Sequence, residues 1–196
     1  MDKAQLIEKY RYFNVEWGAW WDCTYEMFKE HMMEQGILVT DIYFSGFCSQ
    51  GDGACFEGSI RDTKKFLEVN FKPDEYPFIR KLLEHGGDIK FSCGHSGHYY
   101  HENCTTFDVD CDIFGYVLPT TTDFHDQIVV AWDEALNYEM EEFTDDSKEI
   151  FRRHMRELYR ELEQDYDHLT SDEAVWEAIE ANELNEGEEH GNSKIQ

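Results

Sequence analysis

Two runs rich in β-branched and aromatic residues, ILVTDIYFSGF (37–47) and ACFEGSIR (54–61), flank a short stretch holding Gly51, Asp52 and Gly53. Strand formers on both sides of a Gly-Asp-Gly turn specify an antiparallel hairpin. That reading fixes much else, because a hairpin needs further strands or a helix layer to bury its apolar face.

The turn itself has the look of a functional loop and fails each test of one. A phosphate-binding Walker loop needs a lysine after its glycines and a helix next, and here a strand follows without the lysine. The dinucleotide fingerprint fails in the same context. A calcium loop needs several oxygen ligands at alternate positions, whereas Asp52 stands with only Gln50 and Ser49. Cys48 and Cys55 have no cation placed in sequence to lower a thiol pKa. The remaining account is conformational: Gly51 and Gly53 are expected at positive φ, and Asp52 is expected to accept backbone hydrogen bonds. Gly46 and Gly58 then allow a bulge or close packing of the first helix against the sheet.

On either side of the hairpin the period changes. Leu6, Ile7, Tyr10 and Phe13 recur at helical spacing, and a second helix is expected from about Trp17 to Gln35, ended by Gly36. DTKKFLEV and YPFIRKLLEHGG read as short helices, with Pro77 in a first turn and Gly86 as a stop. DIKFSCG, HYYHEN and TTFDVDCDIFGYVL supply two or three more strands. In the last, Phe107, Val109, Cys111 and Ile113 alternate with Asp108, Asp110 and Asp112, as in a sheet with one wet face.

From Thr122 onward the helical period returns. Ile128, Val129, Trp132, Leu136, Met140 and Phe143 form one stripe, Thr144 is expected to cap a second helix, and Thr170 with Glu173 a third. The fold class is therefore α+β: an antiparallel sheet of about four to five strands, N-terminal helices and an acidic C-terminal helical unit. The expected division is a core over 1–120, acidic helices over 121–184 and a disordered tail over 185–196. The chain has no apolar run of membrane-spanning length and no signal-peptide pattern at its start, so the expected compartment is the cytoplasm. Its six cysteines, without any C-x-x-C, are expected as thiols.

Charge is the second constraint. Residues 1–120 hold 20 acids against 11 bases, residues 121–196 hold 23 against 6, and the whole chain carries −26. Such a field repels nucleic acid and anionic membranes and speeds encounter with basic partners. On the helix near 145–167, Glu157, Glu161 and Asp165 fall four apart, as do Glu163 and Asp167, with Glu149 on the same segment. Like charges at this spacing oppose the helix, so their benefit must lie elsewhere. Carboxylates at steps of about 6 Å resemble the phosphates of a nucleic-acid strand. Together with Asp108, Asp110 and Asp112 they are the expected partner-binding residues.

The competing chemistry is CGHSGHYYHENC, which places Cys93, His95, His98, His101 and Cys104 within a dozen residues. Zinc takes thiolate and imidazole, but in a strand Cys93, His95 and His101 share a face while His98 and Cys104 do not. Cys93 with His98 or His125 would make a nucleophile–base pair lacking a third, orienting group. Half-buried strand residues remain the expectation, with no cofactor and no catalytic residue assigned; a metal- or cysteine-dependent enzyme is the alternative.

DIYFSGFCSQGDGACFEG (41–58), GHYYHENC (97–104) and YDHLTSDEAVWEAIEANEL (166–184) resemble segments of small acidic proteins encoded by tailed bacteriophages, over roughly residues 17–184. The resemblance carries no catalytic residues. It implies a non-enzymatic inhibitor in a bacterial cytoplasm, blocking the basic nucleic-acid site of a defence or nucleic-acid-processing enzyme such as a CRISPR effector or restriction enzyme. A homodimer is a further expected partner state, given the aromatic excess at Trp17, Trp20 and Trp21.

Overall fold

The hairpin pairs as its residues require: β1 (Ile37–Phe44) lies antiparallel to β2 (Ala54–Ile60), from Ile37 opposite Ile60 to Phe44 opposite Ala54. The register slips between Val39 and Asp41, leaving Thr40 as a bulge residue. Gly58 sits opposite Val39, where an added Cβ would come within 2.4 Å of the Leu38 carbonyl. The bulge expected near Gly58 is present, and the close packing at Gly58 is between two strand backbones rather than between the first helix and the sheet.

In this computed structural model residues 1–16, 19–112 and 125–184 are described, without the side chains of 112 and 125–133. The chain is α+β. Three N-terminal helices, α1 (Lys3–Lys9), α2 (Phe13–Glu16) and α3 (Asp22–Glu34), precede the hairpin. Two short helices, α4 (Thr63–Asn70) and α5 (Pro77–Glu84), connect it to β3 (Asp88–His95) and β4 (Thr105–Asp112). The long α6 (His125–Leu169) and α7 (Asp172–Ala181) follow. Among the described residues the sheet has four strands, in the order β1-β2-β3-β4, all antiparallel. No helix among the described residues is long and apolar enough to cross a membrane.

Several local expectations are corrected. HYYHEN is a loop rather than a strand: Gly97 takes φ +112°, and the Ser96 N–H donates to the Cys104 carbonyl at 2.8 Å, closing residues 96–104 into an excursion from the β3–β4 ladder. Thr144 caps nothing, because α6 runs through it; the buried stripe continues past it with Phe143, Ile150, Phe151, Met155 and Leu158. Packing along one continuous face overrides a local stop signal. Ser171, not Thr170, caps α7, accepting from the Ala174 N–H at 3.2 Å, while the Thr170 hydroxyl donates back to the Tyr166 carbonyl. The N-terminal helix expected from Trp17 begins at Asp22, after Ala19 at φ +85°, and Trp17 lies outside the described residues. Gly36, at φ +81°, ends α3 as expected. The Ile113 position, the division near residue 120 and the tail over 185–196 lie outside the described residues.

The contacts divide into two units, residues 25–159 and residues 1–24 with 160–196. In the larger unit Phe151 is the hub. Its ring lies 5.1 to 6.5 Å from those of Phe91, Phe56, Phe107 and Phe66, so one α6 side chain touches β2, β3, β4 and α4. In the smaller unit Ile7, Tyr10, Val175 and Ile179 form the core. There the open carbonyls at the end of α6 are satisfied from the N-terminal segment: Asn14 donates to Leu169 O at 2.9 Å and Arg11 to Thr170 O at 3.0 Å.

Beyond Thr144, two buried polar residues lie on the α6 stripe. Among the described residues the hydroxyl of fully buried Ser147 has no partner, and His154, 3% exposed, bonds Glu157 through Nδ1 at 2.8 Å while its Nε2 has none. Burial pushes the His154 pKa below its ordinary 6.5, helped by Arg153 and the facing His31 and opposed by Glu157.

Two stability predictions follow from this packing. Phe151→Ala should cost about 3–5 kcal/mol in urea denaturation, while Thr144→Ala should change it by less than about 1 kcal/mol. Since folded His154 binds its proton less readily than the unfolded chain, its contribution is complete above about pH 6.5 and drains as pH falls. Denaturation midpoints should therefore drop between pH 7.5 and pH 5.5, with a shallower drop in His154→Gln.

Candidate functional site

The Gly-Asp-Gly turn is held as expected in one respect: Asp52 Oδ2 accepts from the Cys48 N–H at 2.8 Å and the Ser49 N–H at 2.6 Å. In another respect it is not. Gly51 and Gly53 do not take positive φ; Gly46, at φ +109°, does. What excludes a side chain at 51 and 53 is the 96–104 loop lying on them. A Cβ at Gly51 would meet the Tyr99 ring at 2.3 Å, and one at Gly53 would meet the Tyr100 carbonyl oxygen at 2.5 Å. The glycines are the floor on which the loop rests.

That loop determines where the Cys/His residues go. At its root β3 leaves β2, and the Glu57 carboxylate takes the His95 N–H at 3.0 Å in place of a backbone carbonyl. The His95 ring packs at a tilt against Tyr43 and Tyr100, with centroids 5.1 and 5.2 Å away. His101 pairs with Glu102 at 3.0 Å, and His98 is exposed. Cys93 is buried, its thiol directed to the Phe56 carbonyl at 3.5 Å. Burial pushes both Cys93 and its neighbour Cys55 up to about 12, with nearby thiols and Glu57 adding to the shift, so neither supplies a thiolate near neutrality. Among the described residues no three His, Cys, Asp or Glu side chains are placed to hold a metal ion. The side chain of His125 lies outside the described residues.

The expected carboxylate ranks divide between structural work and open surface. Asp108 and Asp110 are exposed on β4, facing Ser92 and Lys90 across the ladder; Asp112 pairs in register with Asp88, its side chain outside the described residues. In the larger unit Glu149 takes Arg156 at 2.6 Å, and Glu157 is shared between His154 at 2.8 Å and Arg153 at 3.9 Å. In the smaller unit Asp165 accepts the Thr24 hydroxyl at 2.5 Å, while Glu161, Glu163 and Asp167 are exposed.

A denser acidic site lies at the N-terminus of α5. Glu75, Glu139, Glu142, Asp145 and Asp146 line a cleft of about 660 Å³ together with Tyr76, Phe78 and Tyr138. Its deepest carboxylate is Glu139, 9% exposed, whose Oε2 accepts the Phe78 and Ile79 N–H groups at 2.9 and 3.1 Å. Pro77 brings no N–H, and Tyr76, the N-cap at φ +58°, gives no side-chain cap, so α6 caps α5 from outside. Burial raises the Glu139 pKa, with those two N–H bonds opposing. Tyr76 donates to Asp146 at 2.6 Å and Tyr138 to Glu142 at 2.8 Å. Both phenols are pushed above 10, Tyr76 by burial first and the Asp146 hydrogen bond second, Tyr138 by its bond to Glu142. Among the described residues two of the cleft's carboxylates pair with a cation, Asp145 with Lys148 at 2.9 Å and Glu75 with Lys72 at 3.8 Å.

The sequence carried two signs of this cleft. No lysine or arginine occurs between Lys90 and Lys148, a gap in which acids accumulate unopposed. Glu139 also falls on the apolar stripe between Leu136 and Phe143, where an unpartnered carboxylate would be costly.

Residues 20–172 match a protein family described as a domain of unknown function, DUF8835. The chain belongs to this family. No curated protein and no solved structure matches it. The DUF8835 span takes in the hairpin, the 96–104 loop and the whole acidic cleft, so all three belong to the family's domain.

The packing of loop on turn is open to a direct check. Gly53→Ala should destabilise by about 1–3 kcal/mol, because a backbone carbonyl blocks the new methyl. Gly51→Ala should cost less, since the Tyr99 ring, 56% exposed, is free to swing away; chemical denaturation of the two variants ranks them.

Proposed function

We propose that this protein is a non-enzymatic binding protein whose acidic cleft at the α5 N-terminus receives basic side chains of a partner protein. The observation that carries the reading is the cleft: five carboxylates beside aromatic rings, of which, among the described residues, only Glu75 and Asp145 pair with a cation. An arginine or lysine entering it meets carboxylate acceptors and the exposed ring of Tyr138, a combination suited to a guanidinium. The exposed carboxylates Asp108, Asp110, Glu161, Glu163 and Asp167 extend the negative field that steers such a partner.

The partner class that fits is a protein with a basic nucleic-acid-binding surface, since such surfaces present arginines and lysines in ranks. Occupying that surface makes the protein an inhibitor. The sequence's resemblance to phage-encoded acidic proteins supports a partner among host defence or nucleic-acid-processing enzymes of a bacterial cytoplasm. High thiol pKa values at Cys55 and Cys93 favour this reading over a cysteine-dependent enzyme.

An arginine-rich peptide titrated by calorimetry tests the cleft. Glu142→Lys with Asp145→Lys should weaken binding ten-fold or more, and affinity should fall steeply with salt. The same reversals at Glu173 and Glu177, exposed on α7, should change it by less than about three-fold. Equal losses from both pairs would reduce the binding to net charge and remove the cleft from the account.

A further inference from the structure

We propose a second, oppositely charged site: the cleft lined by Arg61, Lys64 and Lys65 binds the phosphate of a small phosphorylated ligand. It measures about 540 Å³ and is bounded by Met33 and Leu83 on its apolar side and by Asp88 on its polar side. This volume suits a small molecule rather than a macromolecular face.

Three bases within five residues stand out in a chain carrying −26. In such a field the cheapest arrangement of an exposed cation is beside a carboxylate. Yet among the described residues Arg61, Lys64 and Lys65 form no ion pair, although Asp62 and Asp88 line the same cleft. Asp62 is otherwise engaged, its Oδ1 accepting the Lys65 N–H at 3.0 Å as the cap of α4. Lys65 reaches only the Met33 carbonyl, at 3.4 Å. Arg61 and Lys64 are exposed, and their side chains carry no hydrogen bond to any described residue.

The backbone around them is fixed. Gly36, whose carbonyl accepts both the Arg61 and Asp62 N–H groups at 2.8 and 3.1 Å, leaves no room for a Cβ, which would lie 2.6 Å from Asp62 O. The two cationic side chains therefore leave from a rigid corner, which reduces the ordering cost of gripping one anion. A phosphate dianion gains charge-assisted bonds from the Arg61 fork and from Lys64. Met33, 39% exposed, offers a surface to the ligand's body, and Asp88 accepts from its hydroxyls. The chemical class is a hydroxylated phosphomonoester.

Inorganic phosphate and glycerol 3-phosphate are the probes, titrated into the intact protein at constant ionic strength with chloride as the reference. Saturable amide shifts confined to residues 61–65, 33–36 and 87–88 are expected, with glycerol 3-phosphate the tighter of the two. Arg61→Ala with Lys64→Ala should weaken binding at least ten-fold while leaving the urea midpoint within error of the parent; if that variant fails to fold, Lys64→Glu is read the same way. Shifts that never saturate, that spread over the surface, or that persist in the variant would overturn the site. The acidic-cleft reversals leave these shifts unchanged, so the two sites stand or fall separately.

Discussion

The larger unit depends on a single constraint: one ring, Phe151, must be in van der Waals contact with three strands and a connecting helix at once. Interiors at this density transmit displacement rather than absorb it. The requirement sets the register of α6 against the sheet, and with it everything α6 carries. Glu139 lies on the same helix twelve residues earlier, so the register that seats Phe151 also delivers a carboxylate to the first turn of α5. The acidic cleft is a consequence of core packing.

The same helix shows how charge and fold are reconciled. A carboxylate-rich surface opposes compaction, and α6 meets this in two ways. Toward its C-terminal half, bases follow acids at helical spacing, as in Lys148 on Asp145 and Arg156 on Glu149. Before Lys148 there are no bases, and neutral donors serve instead: tyrosine hydroxyls and the amide groups of a helix end. Neutral donors satisfy lone pairs without cancelling charge. The potential of the cleft survives, while its carboxylates remain hydrogen-bonded.

The sheet was legible because alternation has a period of two and leaves few options: Phe107 and Val109 inward, Asp108 and Asp110 outward follow from the pleat. Helices α1, α4 and α5 were legible for the matching reason at period 3.6, although the spacing of Leu6 to Phe13 did not reveal the turn at 10–12 that separates α1 from α2. Thr144 misled because capping residues act locally and are overridden when an apolar stripe continues past them. HYYHEN misled because its aromatic residues favour strands, yet Tyr99 lies over Gly51 of a distant turn and Tyr100 stacks on Tyr43 of β1 without joining the ladder. The cleft was legible only in outline. Its acids come from α6 and from Glu75 ahead of α5, and proximity across 64 residues of chain, from Glu75 to Glu139, is not written in local spacing.

The fit of the 96–104 loop onto Gly51 and Gly53 ties two distant stretches of sequence into one heritable unit. In family members where the position of Gly53 has acquired a β-carbon, the loop must have shortened or moved aside. Where Tyr99 and Tyr100 have been lost, the glycines are released from selection. Covariation between these segments across DUF8835 would then record the docking of a loop, not the upkeep of a turn.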